Sequence, residues 1–148
     1  MLNLSFHGKS AAVSLLAVLG TYGWYFYFVL LGAGPESPQE MLFWMIGLVV
    51  LIVVVEVVFH IAIAVGYPDE ANGSADEMDR AIRLKAYRFG YLLLSAGVLI
   101  VLGRILFGSV MEPGAVTLLD IANLLLFAFV LAESGHYGAT VYYYLAGV

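Results

Sequence analysis

Four long apolar runs, separated by short polar connections, set the hydropathy pattern of this chain. Each run is close to or above the ~20 residues that an α-helix needs to cross a hydrocarbon core of ~30 Å. The runs are too long and too continuous for barrel strands, so helices are expected. The pattern therefore predicts an all-α fold, a four-helix transmembrane bundle that runs up-down-up-down as one integral membrane domain. The predicted helices cover about residues 10–31, 41–65, 75–107 and 118–145 of the 148.

Composition excludes several other classes of protein. Hydrophobic residues make up 63% of the chain and charged residues 11%, whereas a soluble domain is about a quarter charged. The absence of cysteine excludes disulfides and thiolate metal sites. The net charge of −5 argues against nucleic acid as a partner, since nucleic-acid binding needs a basic footprint.

Lysine and arginine are distributed unevenly among the connections, and this distribution predicts the orientation. The first connection carries neither residue, and Lys9 precedes the first helix. Both termini and the second connection, residues 66–74, are therefore expected on the cytoplasmic side of the membrane. The basic residues in and beside the second connection are Arg80, Arg83, Lys85 and Arg88.

The second connection ends in a signal for the start of a helix. Ser74-Ala75-Asp76-Glu77 fits a capping box, in which the serine side chain accepts from the Glu77 amide and the glutamate side chain reaches back. The third helix is expected to begin near Ala75 and to extend its first turns into the cytoplasm or along the membrane surface. The alternative is that this segment is a docking site for a cytoplasmic partner.

Two Glu–His pairs lie inside the apolar runs, Glu56 with His60 and Glu133 with His136. A carboxylate in hydrocarbon is costly, so such residues normally face a bundle interior or a water-filled cavity. At ~1.5 Å per residue, the four side chains fall within a layer about 10 Å thick on the expected topology. They are the candidate intramembrane site.

The third helix is expected to contribute to the same site. Arg88, Tyr91 and Ser95 share one helix face at spacings of i, i+3 and i+7. Arg88 enters from the cytoplasmic side, where it is expected to pair with a glutamate or to extend to the headgroups. Arg88 and Tyr91 therefore join the two Glu–His pairs as candidate site residues.

The first helix also carries a polar face, formed by Ser14, Thr21 and Tyr25. Tyr25 lies beside Trp24 in the outer half of this helix, at a position typical of aromatic anchors at the membrane interface. His7 is expected at the surface in front of the helix.

The fourth helix shows a start signal and a packing stripe. Thr117 and Asp120 resemble a cap, so the helix is expected to begin after Thr117. Small residues at helical spacing let membrane helices approach closely, which predicts a packing face. That stripe consists of Ala128, Ala132, Gly135 and Ala139.

Three interpretations of the polar interior remain open. In the first, neutral or paired Glu and His side chains hydrogen-bond the second and fourth helices together. In the second, Glu56, His60, Glu133 and His136 form a metal, cation or proton site, since a divalent ion with two His and one or two Glu ligands is chemically reasonable. In the third, His60 and His136 hold a b-type haem, although their expected depths differ by roughly 5–6 Å.

The segment DEMDRAIRLKAYRFGY, Asp76 to Tyr91, resembles a motif of a loosely defined family of small bacterial and archaeal membrane proteins with four predicted helices. In that group, an acidic-Arg motif precedes a basic amphipathic turn at the entry to the third helix. The resemblance implies a protein of the cytoplasmic membrane and supplies no assigned reaction. The group typically ends in a basic tail, whereas this chain ends VYYYLAGV.

Two classes of function follow from the sequence. The first is a non-enzymatic accessory, regulatory or assembly protein that acts through helix contacts and the Asp76–Arg88 segment. Its expected partners are the lipid bilayer, a second copy of the chain or another membrane protein. The second class is a protein that binds or conducts a cation, proton or metal through the two Glu–His pairs, and an electron carrier with haem is a further alternative.

Overall fold

The computed structural model describes residues 6–68, 77–111, 114 and 116–147. Each of its four helices is long and apolar enough to span a membrane, so the chain is a multi-pass membrane protein. The predicted all-α four-helix bundle is confirmed. The first two helices begin earlier than expected, and the expected start of the third near Ala75 lies outside the described residues. The helices are α1 (Phe6–Leu30), α2 (Pro38–Gly66), α3 (Glu77–Met111) and α4 (Leu118–Ala146).

Side-chain caps explain where α2 and α4 begin. The Ser37 hydroxyl accepts from the Glu40 amide at 3.2 Å, and Pro38 fills the first helical position, where its missing N–H costs nothing. Thr117 and Asp120 form a reciprocal capping box, with distances of 2.9 and 3.1 Å between each side chain and the other backbone amide. The predicted cap of the fourth helix is thus confirmed.

The helices pack in the order α2, α1, α4, α3, with each helix antiparallel to the next one along the chain. The most extensive interface joins α3 to α4, and α1 packs against both α4 and α2. Direct contact between α2 and α3 is minimal. The bundle is therefore tight on three sides and loosely closed on the side between α2 and α3.

Small residues bring α3 and α4 into close contact. A Cβ added to Gly97 would lie 2.7 Å from the Cβ of Ala128, and one added to Gly90 would lie 3.3 Å from the carbonyl oxygen of Ala132. A Cβ on Gly135 would collide with an α3 leucine side chain. The predicted packing role of the α4 stripe is confirmed at Ala128, Ala132 and Gly135.

An apolar plug fills the end of the bundle that holds the start of α2. Tyr25 lies at its centre with no exposed surface, and its hydroxyl donates to the Asn123 side-chain oxygen at 2.6 Å. Tyr25 is therefore not an anchor at the membrane interface, because its ring faces the other helices, and the polar face that it forms with Ser14 and Thr21 is buried in the bundle. The plug consists of Val18, Tyr22, Tyr25, Met41, Leu48, Leu126 and Val130.

Candidate functional site

A polar cavity of about 300 Å³ occupies the opposite end of the bundle, beside the first turns of α1. Side chains of all four helices line it, so the site exists only in the folded bundle. We call it the polar cavity. Its lining residues are His7, Ser10, Ala11, Ser14, Glu56, His60, Arg83, Tyr87, His136, Tyr137, Thr140 and Tyr144.

His60 is held by hydrogen bonds at both ring nitrogens. Nδ1 lies 2.7 Å from the backbone oxygen of Glu56, and Nε2 lies 2.8 Å from the hydroxyl oxygen of Ser10. A carbonyl oxygen only accepts, so Nδ1 carries the proton in the neutral ring and Nε2 accepts from Ser10. The one-turn spacing of Glu56 and His60 thus serves a bond to the glutamate backbone, which leaves the carboxylate available to the cavity.

His136 is positioned by the close approach of α3 and α4. Its ring stacks on Tyr87, with centroids 4.3 Å apart and an interplanar angle of 19°, and it lies 4.9 Å from the ring of Tyr137. A Cβ on Gly90 would lie 2.9 Å from the Cβ of His136, so the absence of a side chain at Gly90 leaves room for the histidine. The imidazole therefore acts as part of an aromatic wall.

Glu133 lines a second cavity, of about 350 Å³, between α3 and α4. We call this the side cavity, and Tyr87, His136 and Tyr137 line it as well as the polar cavity. Glu56 lines the polar cavity and Glu133 the side cavity, and Tyr137 lines both. The two Glu–His pairs thus belong to neighbouring cavities that share an aromatic wall.

The structure corrects the expected contribution of α3. Arg88 is exposed and lines neither cavity, whereas Tyr91, although 70% exposed, lines the side cavity together with Glu133. At about 100° per residue, Arg88 lies roughly 200° around the helix from Gly90, whereas Arg83 lies within about 20° of it. Because Gly90 faces α4, Arg83 and Tyr87 enter the polar cavity instead.

His7 also differs from its expected surface position. It lies in the first turn of α1, lines the cavity and places Nε2 3.9 Å from a carboxylate oxygen of Asp79. The Tyr144 hydroxyl donates to the other oxygen of Asp79. These contacts tie the first turn of α1 to the ends of α3 and α4 at the cavity mouth.

Sequence reasoning missed several lining residues on α4, although a signal was present. Tyr137, Thr140 and Tyr144 follow Glu133 at spacings of four, three and four residues, which places all of them on one helix face. Their polar atoms continue the polar face of α4 toward the cavity mouth. A search for hydroxyl groups at this spacing finds them.

The donor set does not fit a metal ion or a haem. No three His, Asp or Glu side chains converge as ligands among residues 6–68, 77–111 and 116–147. His60 is engaged at both nitrogens, and the His136 ring lies against Tyr87. Neither nitrogen of His60 is therefore available as an axial haem ligand in this arrangement.

Comparison of the chain with protein-family models, with curated proteins and with solved structures finds no match.

Proposed function

We propose that this chain is a non-enzymatic accessory protein of the cytoplasmic membrane that binds a small organic cation in the polar cavity. The proposal is carried by Glu56, the one carboxylate among the described residues that line the cavity. The resemblance of the Asp76–Tyr91 segment to bacterial and archaeal membrane proteins supports a location in the cytoplasmic membrane. The basic residues near the second connection support a cavity mouth that faces the cytoplasm.

The lining suits an ammonium group better than a metal ion. An ammonium donates three hydrogen bonds, and the cavity offers the Glu56 carboxylate together with hydroxyl oxygens of Ser14 and Thr140. The rings of Tyr87 and Tyr137 supply π faces, which attract cations within about 6 Å. A divalent ion needs several carboxylate or imidazole ligands at short range, which the described residues do not gather.

The apolar plug supports binding rather than conduction. Its side chains are aliphatic, aromatic or a methionine, and the central Tyr25 hydroxyl is already bonded to Asn123. A cation crossing this layer would lose its hydration without a carboxylate of the plug to replace it. A ligand held at one end of the bundle acts through helix packing, which suits an accessory or regulatory protein.

Calorimetric titration of the detergent-purified protein tests the proposal. The probe is ethylammonium chloride at constant ionic strength, and ethanol is the uncharged control of similar size. We expect the wild-type protein to bind ethylammonium and not ethanol. Glu56→Gln removes the charge at nearly constant volume and is expected to weaken binding at least tenfold, equivalent to about 1.4 kcal/mol.

Glu40→Gln is the matched control on the same helix. Glu40 lies in the first turn of α2, where its carboxylate accepts from the Glu36 amide, far from the polar cavity. This variant is expected to bind ethylammonium as the wild type does. The proposal fails if Glu56→Gln retains wild-type affinity, or if both variants lose affinity equally.

A further inference from the structure

The helix ends at the cavity mouth lie at a common level. The Lys9 ammonium of α1 lies 3.7 Å from the centroid of the Tyr67 ring, directly after α2. In the same first turns of α1, His7 lies 3.9 Å from Asp79, near the start of α3. Depths along α2 and α3 can therefore be counted from the same end of the bundle.

Opposite charges follow one another along the cavity. Arg83 comes six residues after the first residue of α3, and Glu56 comes ten residues before the last residue of α2. At ~1.5 Å per residue, these positions lie about 9 and 15 Å from the mouth, so the carboxylate is on the order of 6 Å deeper than the arginine position. Of the charged side chains that line the cavity, Arg83 therefore lies nearer the mouth and Glu56 lies deeper, while the Asp79 carboxylate at the mouth is bonded to Tyr144 and lies beside His7.

This order of charges favours a zwitterionic ligand. A bare cation bound at Glu56 lies behind the positive charge of Arg83, and a bare anion at Arg83 lies in front of the negative charge of Glu56. A ligand that carries an ammonium and a phosphate a few bonds apart matches both groups. Arginine suits phosphate because its guanidinium presents paired donors to the phosphate oxygens.

The open side of the bundle favours a lipid as the source of that ligand. α2 and α3 both line the cavity but make minimal direct contact, so among the described residues no helix interface closes this side. At 35 residues, α3 is about 52 Å long, well beyond the ~30 Å hydrocarbon core, so its first turns with Arg83 reach the headgroup layer. A headgroup can enter sideways between α2 and α3 while its acyl chains stay in the bilayer.

We propose that the polar cavity binds a phosphoethanolamine group, with the ammonium at Glu56 and the phosphate at Arg83, and that an ethanolamine phospholipid supplies it. This inference rests on the proposed binding of an ammonium group at Glu56 and adds the phosphate half of the ligand. Free phosphoethanolamine carries the same chemistry, so the test separates the two sources.

The test compares nanodiscs of phosphatidylethanolamine, phosphatidylcholine and phosphatidylglycerol, together with soluble phosphoethanolamine added to the detergent-purified protein. Lipid binding is measured by native mass spectrometry and by the shift in unfolding temperature. We expect phosphatidylethanolamine to bind at least tenfold more tightly than the other two lipids. In phosphatidylcholine, three methyl groups on the nitrogen replace the N–H donors, and phosphatidylglycerol has no cationic group. If soluble phosphoethanolamine binds tightly and the lipid does not, the headgroup chemistry is supported and the lipid source is overturned.

Two variants separate this inference from the proposed function. Arg83→Gln is expected to weaken binding of phosphatidylethanolamine and phosphoethanolamine about tenfold and to leave ethylammonium binding unchanged or tighter. Arg88→Gln, at a position that lines neither cavity, is expected to bind like the wild type. The inference is overturned if phosphatidylglycerol binds as well as phosphatidylethanolamine, or if Arg83→Gln has no effect on either zwitterion. If ethylammonium binding still depends on Glu56 in that case, the proposed function stands without the phosphate half.

Discussion

Replacing Gly97 by alanine places a methyl group in the tightest part of the α3–α4 interface. The added Cβ would lie 2.7 Å from the Cβ of Ala128, whereas ordinary contacts begin at 3.4 Å, a shortfall of 0.7 Å. Both carbons are attached directly to the backbone, so neither can rotate away. The two helices must therefore separate locally, and the contacts on either side of the pair loosen.

Overpacking of this kind costs about 1–3 kcal/mol of unfolding free energy. Alanine also favours a helix over glycine by about 1 kcal/mol in water, which partly offsets that cost. Gly103→Ala on the same helix isolates the packing contribution, because nothing lies within 4 Å of a Cβ at that position. We expect Gly97→Ala to be less stable than Gly103→Ala by about 1–3 kcal/mol.

A size swap across the interface tests the geometry directly. Ala128→Gly removes the methyl group that the new side chain strikes, at a cost of about 0.8 kcal/mol for the lost burial. The double variant Gly97→Ala with Ala128→Gly should then be more stable than the sum of the two single changes by about 1–3 kcal/mol. Unfolding in mixed micelles, followed by circular dichroism, gives the four free energies. If the two changes add within about 0.5 kcal/mol, the close approach of these helices is refuted.

Two further predictions concern hydrogen bonds at the plug end of the bundle. Tyr25→Phe removes the donor to Asn123 and is expected to lower the unfolding free energy by about 1 kcal/mol, whereas Tyr27→Phe, at a site 59% exposed, should change it by less than about 0.5 kcal/mol. Equal values for the two variants would contradict the buried bond. Thr117→Ala removes the capping box with Asp120 and should cost about 1 kcal/mol, measured in the same unfolding assay. Hydrogen exchange of the first-turn amides of α4 should rise with it, and unchanged exchange would argue against the cap.

The helices could be predicted well because length and apolar composition decide them. The runs in α2 and α4 exceed any barrel strand, and the Thr117 cap was visible as a pattern of residue types. Helix starts were harder to predict. His7, Lys9 and Ser10 are polar and resemble a segment that precedes a helix, yet they belong to the first turns of α1, and His7 and Ser10 line the cavity.

Which face of α3 turns inward could not be predicted from its polar residues. Arg88 and Tyr91 formed the more evident polar face, but the backbone contact at Gly90 and Gly97 decides the rotation of the helix. Glycine carries no side chain whose polarity marks a face, so the signal was easy to overlook. In α2 the inward face could be predicted from its polar residues, because Glu56 and His60 are conspicuous in an apolar helix and both line the cavity.

The polar cavity is lined partly by the closely packed α3–α4 pair and partly by α2, which packs less closely. This difference determines how a bound ligand could change the arrangement of the helices. Tyr87 and His136 lie on the closely packed α3–α4 pair, whereas Glu56 lies on α2, whose buried residues, Met41 and Leu48, lie toward its other end. A ligand that contacts Glu56 on α2 and Arg83 on α3 bridges the side of the bundle that no helix interface closes. Such a ligand binds more tightly when α2 and α3 are close together than when they are apart. It therefore shifts the equilibrium toward the close arrangement, by an amount set by the difference between its affinities for the two arrangements. On the proposed binding, occupancy of the cavity would therefore favour the arrangement in which α2 lies close to α3.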